Sequence, residues 1–149
     1  MATIGEELKT KFKQDKHRFI TNLIFTVNSF QNAFNVFLKP YHLSSQQYNI
    51  LRILRGAADW TSMNIVKDLM IDKAPNTTRL ADKLNGKGHI ERQRSDQDRR
   101  GVYLSITPKG WDLLEEIDLD QAGVQNDYLA RITDEEARQF SKILDRMKG

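Results

Sequence analysis

The 149-residue chain contains no cysteine, which excludes disulfides, thiolate metal sites and thiol-based redox switching together. Its three histidines, His17, His42 and His89, are too scattered to suggest a metal cluster, so no metal and no cofactor are expected. No apolar run approaches the roughly 18–20 residues that a membrane-spanning helix needs. Residues Met1 to Glu7 lack a basic start followed by an apolar stretch, so no secretory signal is expected. There is no glycine-rich phosphate loop and no serine or histidine motif beside a carboxylate. Glu115, Glu116, Asp118 and Asp120 cluster in sequence, but on a helix they spread over more than one face. A cytoplasmic, soluble chain that is not an enzyme and has no membrane partner is the expectation.

What is present is patterned charge. Residues 1–72 carry 9 Lys/Arg against 6 Asp/Glu, residues 73–110 carry 9 against 4, and residues 111–149 carry 5 against 10. The overall excess of +3 therefore hides a basic middle and an acidic tail. Such asymmetry suits one surface facing a polyanion, although an ordinary solvated face fits the same count.

Hydrophobic periodicity supplies the elements. Leu8, Phe12, Phe19, Ile20, Leu23, Ile24, Val27, Phe30, Phe34 and Phe37 recur at three- and four-residue steps. They predict one amphipathic helix from about residue 6 to Lys39, ended by Pro40 and roughly 50 Å long. Ser44 and Gln47 make a capping box, with Leu43 and Tyr48 spaced as a hydrophobic staple, for a helix ending near Gly56. A third helix is expected from Thr61 through Met70, and a fourth from Pro75 in its first turn through Leu84. The period then falls to two: Ile90, Arg92 and Arg94 alternate with polar residues, as do Val102, Leu104 and Ile106 with Tyr103 and Ser105. Around the polar stretch from Asp96 to Gly101 this predicts a two-stranded hairpin. Thr107 and Pro108 open a further helix whose buried side reads Trp111, Leu114, Ile117, Val124, Tyr128 and Ile132. Thr133 and Glu136 cap a last one that buries Ala137, Phe140, Ile143, Leu144 and Met147.

The order implies a mainly α (α+β) winged helix-turn-helix, with a two-stranded wing and long terminal helices. A helix of about 10–12 Å diameter fits a DNA major groove, and a basic hairpin fits the minor groove beside it. Candidate contacts on the recognition helix are Asn76, Thr77, Thr78, Arg79 and Lys83. Short polar residues are also common helix caps, and both readings fit this stretch. On the wing the candidates are Arg92, Arg94, Asp98, Arg99 and Arg100, with Asp98 placed to hold a neighbouring guanidinium.

Leu84 to Arg92, then Asp98-Arg99-Arg100, then Leu104 to Gly110 with its Thr107-Pro108-Lys109-Gly110 ending, resemble the signature of MarR-type regulators. These are the multiple-antibiotic-resistance family of bacterial winged-helix repressors. Ile106 stands where leucine is usual, and Pro75 is less typical at the recognition-helix entry. The resemblance covers nearly the whole chain. It implies a single domain over 1–149, with a DNA-binding part at about 44–110 and helical dimerisation parts at 6–39 and 107–148. It further implies a homodimer on a pseudo-palindromic operator of double-stranded DNA, with half-sites about 34 Å apart. Many such regulators are released by small aromatic compounds. Phe30, Phe34, Tyr41, Tyr48, Trp60 and Trp111 are the candidates for lining such an effector pocket, although aromatics at helical spacing also build cores. A winged helix that binds another protein instead of an operator is the alternative.

Overall fold

The computed structural model describes residues 1–73, 75–97 and 101–149, with the side chains of 121–127 left aside. Helix α1 (Ile4–Glu7) is closed by a capping box between Thr3 and Glu6, and α2 spans Asp15–Leu38. The single helix expected from residue 6 to Lys39 is therefore two. Between them Lys9 takes a left-handed conformation, φ 50°. Continuing the helix would stack Lys9, Lys13 and Lys16 at three- and four-residue steps, where like charges repel. Asp15 instead opens α2 with an acid in its first turn.

Pro40 sits in a one-turn 3-10 segment, Lys39–Tyr41, that leaves α2 through His42. Helix α3 (Ser45–Ala57) starts at the Ser44/Gln47 capping box, and both staple residues, Leu43 and Tyr48, are buried. Thr61 does not start the next helix. It pairs with Leu104 in a short strand, β1 (Thr61–Ser62), and Ser62 caps α4 (Met63–Leu69) by accepting from the Ile65 N–H at 3.2 Å. Pro75 likewise precedes the first turn it was expected to occupy, because α5 (Thr77–Gly86) begins after Asn76.

Strands β2 (Ile90–Arg94) and β3 (Val102–Ile106) form the wing, with Ile90 opposite Ile106 and Arg92 opposite Leu104. With β1 they make a three-stranded antiparallel sheet in the order β1-β3-β2. The edge strand β1 is two residues long and pairs across some forty residues of chain, so no local pattern announces it.

Helix α6 (Pro108–Leu129) begins as the Thr107-Pro108 signal indicates, with the Thr107 hydroxyl accepting from Gly110 N–H at 3.1 Å. A Cβ at Gly110 would lie 2.1 Å from the carbonyl oxygen of His89. Only glycine lets α6 seat directly on the wing's root.

Leu38, Ile50, Leu51, Leu54, Val66, Leu84, Ile90, Leu104, Leu114 and Ile117 form one fully buried core joining α2 to α6. At Trp111 and beyond Ile117 the expected burial is incomplete within a single chain, with Tyr128, Ala137, Ile143 and Leu144 only half-buried. Trp111 and Ile132 are exposed, as are Phe140 and Met147 on the last helix, α7 (Asp134–Lys148), whose cap at Thr133 forms as expected. Val124 lies among the side chains left aside. The chain exposes 10955 Å², about 3,000 Å² more than the roughly 7,800 Å² of a compact monomer of its mass.

Candidate nucleic-acid interface

The buried face of α5 is Thr77, Leu80, Ala81 and Leu84, so its outer face carries Arg79, Asp82 and Lys83. This corrects one expectation. Thr77 is 1% exposed and packs into the core, because helical spacing places it one turn before Ala81 on the inward stripe. Asn76 is exposed just before the first turn without capping through its side chain, and Thr78 is half-buried. Arg79 and Lys83 are exposed, and neither has an ion-pair partner among the described residues.

On the wing, Ile90 is buried and the rest of β2 is exposed. Arg94 is exposed and unpaired among the described residues. Arg92 is not free: its guanidinium donates to the carboxylate of Asp82 on α5. The Ser95 N–H donates to the Gly101 carbonyl at 2.9 Å. Asp98, Arg99 and Arg100 lie outside the described residues.

Other basic groups near α5 serve the framework. The Lys87 ammonium donates to the His42 carbonyl at 2.6 Å, and Lys109 donates to the Lys87 carbonyl at 2.9 Å, where the end of α5 concentrates negative potential. His89 is buried at this joint. Its Nδ1 has no hydrogen-bond partner among the described residues. Burial, then the charges of Lys109 and Lys87, hold its pKa below the ordinary imidazole value.

The predicted aromatic lining divides. Phe30, Phe34 and Tyr48 line a cavity of about 450 Å³ between α2 and α3, completed by Asn49, Arg52, Ile53 and Ile71. Tyr41 does not line it. Its hydroxyl donates to Asp120, a bond that chiefly pushes its pKa up to about 12. Trp60 and Trp111 are exposed, 40% and 39%, and also lie apart from that lining. The residues missed were legible in the same helix, since Arg52 follows Tyr48 by four and Ile53 follows Asn49 by four. Arg52 donates to the Tyr48 hydroxyl at 3.1 Å, and Asn49 accepts from the Ile71 N–H at 2.9 Å. Among the described residues no group of acidic or histidine side chains fits a metal ion, and no helix is long and apolar enough to cross a membrane.

A family model described as the MarR family matches residues 43–102, which run from the start of α3 into the wing. The chain is 34% identical over 95 residues to the multiple antibiotic resistance protein MarR of Salmonella typhimurium, covering 63% of this chain and 65% of that protein. It thus spans just under two thirds of that relative's length. To the HTH-type transcriptional regulator PecS of Dickeya dadantii it is 33% identical over 119 residues, 78% of this chain and 71% of PecS. A crystal structure of a mutant MarR from E. coli, complexed with operator DNA, shares the fold with a TM-score of 0.76 at 23% identity, over 92% of this chain and 99% of that one. With its helix-turn-helix, three-stranded sheet and terminal helices, the chain belongs to the MarR family of winged-helix transcriptional regulators, a family of regulators and not of enzymes.

Proposed function

We propose that this chain is a sequence-specific, cytoplasmic DNA-binding regulator that acts as a homodimer on a pseudo-palindromic operator. Helix α5 enters a major groove through Asn76, Thr78, Arg79 and Lys83, and the wing follows the adjacent minor groove with Arg94, Asp98, Arg99 and Arg100. The observation that carries the reading is the exposed surface of α5 and β2, where Arg79, Lys83 and Arg94 stand with no ion-pair partner among the described residues. Unpaired cations beside a polar helix start are what phosphate and guanine contacts need. The operator complex of the E. coli relative supports the same assignment.

The DNA-binding part is about 44–110, and the terminal helices, 6–39 and 107–148, join two copies. Support for pairing comes from the excess surface and from the apolar stripe of α7, where Phe140 is 49% and Met147 52% exposed. A total burial of 2,000–5,000 Å² in obligate homodimers is of the order this chain leaves uncovered. The cavity of Phe30, Phe34 and Tyr48 takes a small aromatic effector, which releases DNA by binding the DNA-incompetent arrangement more tightly.

Selection of duplexes from a random-sequence library, followed by affinity measurement across a salt series, tests the reading. The expected outcome is a palindromic consensus and a steep inverse dependence of affinity on salt. A winged helix that docks on protein would retain no duplex at low ionic strength, and that result would overturn the proposal. Sedimentation of the free protein as a single copy at micromolar concentration would overturn the homodimer.

A further inference from the structure

The Asp82–Arg92 contact is the one place where a side chain of the recognition helix grips the wing by an ion pair among the described residues. Strand alternation puts Arg92 two residues from the inward-facing Ile90, hence on the side of the wing that meets α5. Helix periodicity puts Asp82 on the outer side of α5, away from Leu80, Ala81 and Leu84. The two elements otherwise meet at the wing's root, through the turn where Gly88 N–H donates to Asn85 and His89 N–H to Leu84, and through Leu84 and Ile90 in the shared core. Both of these attachments lie at the root of the wing. An attachment further out fixes the angle between them.

We propose that Asp82 and Arg92 are a positioning pair that sets the angle between recognition helix and wing, with Arg92 serving this pair and not a phosphate. The role rests on the DNA-binding reading above. As a source of stability the pair is minor, because the side chains are 48% and 32% exposed and water screens them. Its effect is geometric. Helix and wing must reach neighbouring grooves at once, and a misplaced element loses its contacts however well it is charged. The pair also governs charge on α5. Arg79 lies three residues before Asp82, within reach of a helical ion pair. With Arg92 occupying the carboxylate, Arg79 stays available for DNA.

The two roles for Arg92 differ in what Asp82 does. If Arg92 bound a phosphate, removing Asp82 would free it and take a negative charge from the DNA face, so binding would tighten. If the pair positions the wing, Asp82→Ala and Arg92→Ala each weaken binding to the selected duplex by about tenfold, and the double variant is no weaker than either single one. The slope of log affinity against log salt then stays at the wild-type value, whereas loss of a phosphate contact flattens it by about one unit. The swapped pair, Asp82→Arg with Arg92→Asp, recovers most of the lost affinity. Tighter binding by Asp82→Ala, or a flattened slope in Arg92→Ala alone, overturns the proposal. Should a single variant melt early, the swapped pair decides: recovered affinity supports the role, and affinity as low as that of Arg92→Ala overturns it. A wild-type protein that retains no duplex removes the DNA reading itself, and the pair's role with it.

Discussion

The two halves of this molecule follow opposite rules of burial. From Leu43 to Ile117 the chain closes on itself: the staple residues, the inner faces of α3 and α5, the sheet and the first turns of α6 share one core. Outside that stretch, Ile4 and Leu38 apart, large apolar residues stand in water in long stripes, where within it only a few such as Ile65, Leu69 and Ile71 do. Ile24, Val27 and Val36 on α2, Leu119 and Leu129 on α6, and Phe140 and Met147 on α7 are all more than 40% exposed. Amphipathic spacing thus marks a face that seeks apolar company without saying whose. In the first region that company is intramolecular, and in the second we assign it to another copy.

The largest expected effect falls within the first region. Leu54 is fully buried, and Leu54→Ala should cost about 2–5 kcal/mol, read as an early midpoint in urea unfolding. An unshifted midpoint would mean that the winged part is not the stability-determining unit. Gly110→Ala comes next. Its Cβ would meet the His89 carbonyl at 2.1 Å, so α6 must lift from the wing root, at a cost of about 1–3 kcal/mol. The variant's melting curve and the amide exchange of His89 would report it together.

The second region should behave in the opposite way. Phe140→Ser with Met147→Ser should leave the core intact but weaken self-association by about tenfold or more, since truncated interface anchors typically cost over 1 kcal/mol. The melting temperature of the wild type should rise with protein concentration, and that rise should shrink in the variant. Equal melting at all concentrations in both proteins would erase the contrast between the regions.

The smallest effect is a matter of pH. His89 has its pKa depressed in the folded state, so the unfolded chain takes up the proton first. Its contribution is complete above the ordinary imidazole value and is lost as pH falls through that value toward the folded one. A stability profile measured from pH 8 to pH 5 should therefore slope downward, and His89→Leu should flatten it.

How much was legible follows from where each partner lies. Signals confined to four or five residues read true: Ser44 with Gln47, Thr107 with Pro108, Thr133 with Glu136, and the alternation of β2 and β3. Thr3 and Glu6 carry the same capping signal, yet the longer apolar stripe masked it and two helices read as one. Contacts across the fold were silent. Nothing near Thr61 tells of Leu104, nothing near Tyr41 tells of Asp120, and Arg92 counts as a free cation until Asp82 is seen beside it. Thr77 shows the limit of residue type, since a hydroxyl at a helix start faces inward if the stripe passes through it. The aromatic candidates sorted by position alone, three into the cavity and three elsewhere.

Gly110 has a mechanical meaning that goes beyond packing. With the backbone of α6 resting on that of His89 and no side chain as a cushion, the helix has a bearing, and Leu114 and Ile117 hold it in its socket. Anything that shifts the first turns of α6 must therefore carry the root of the wing with it.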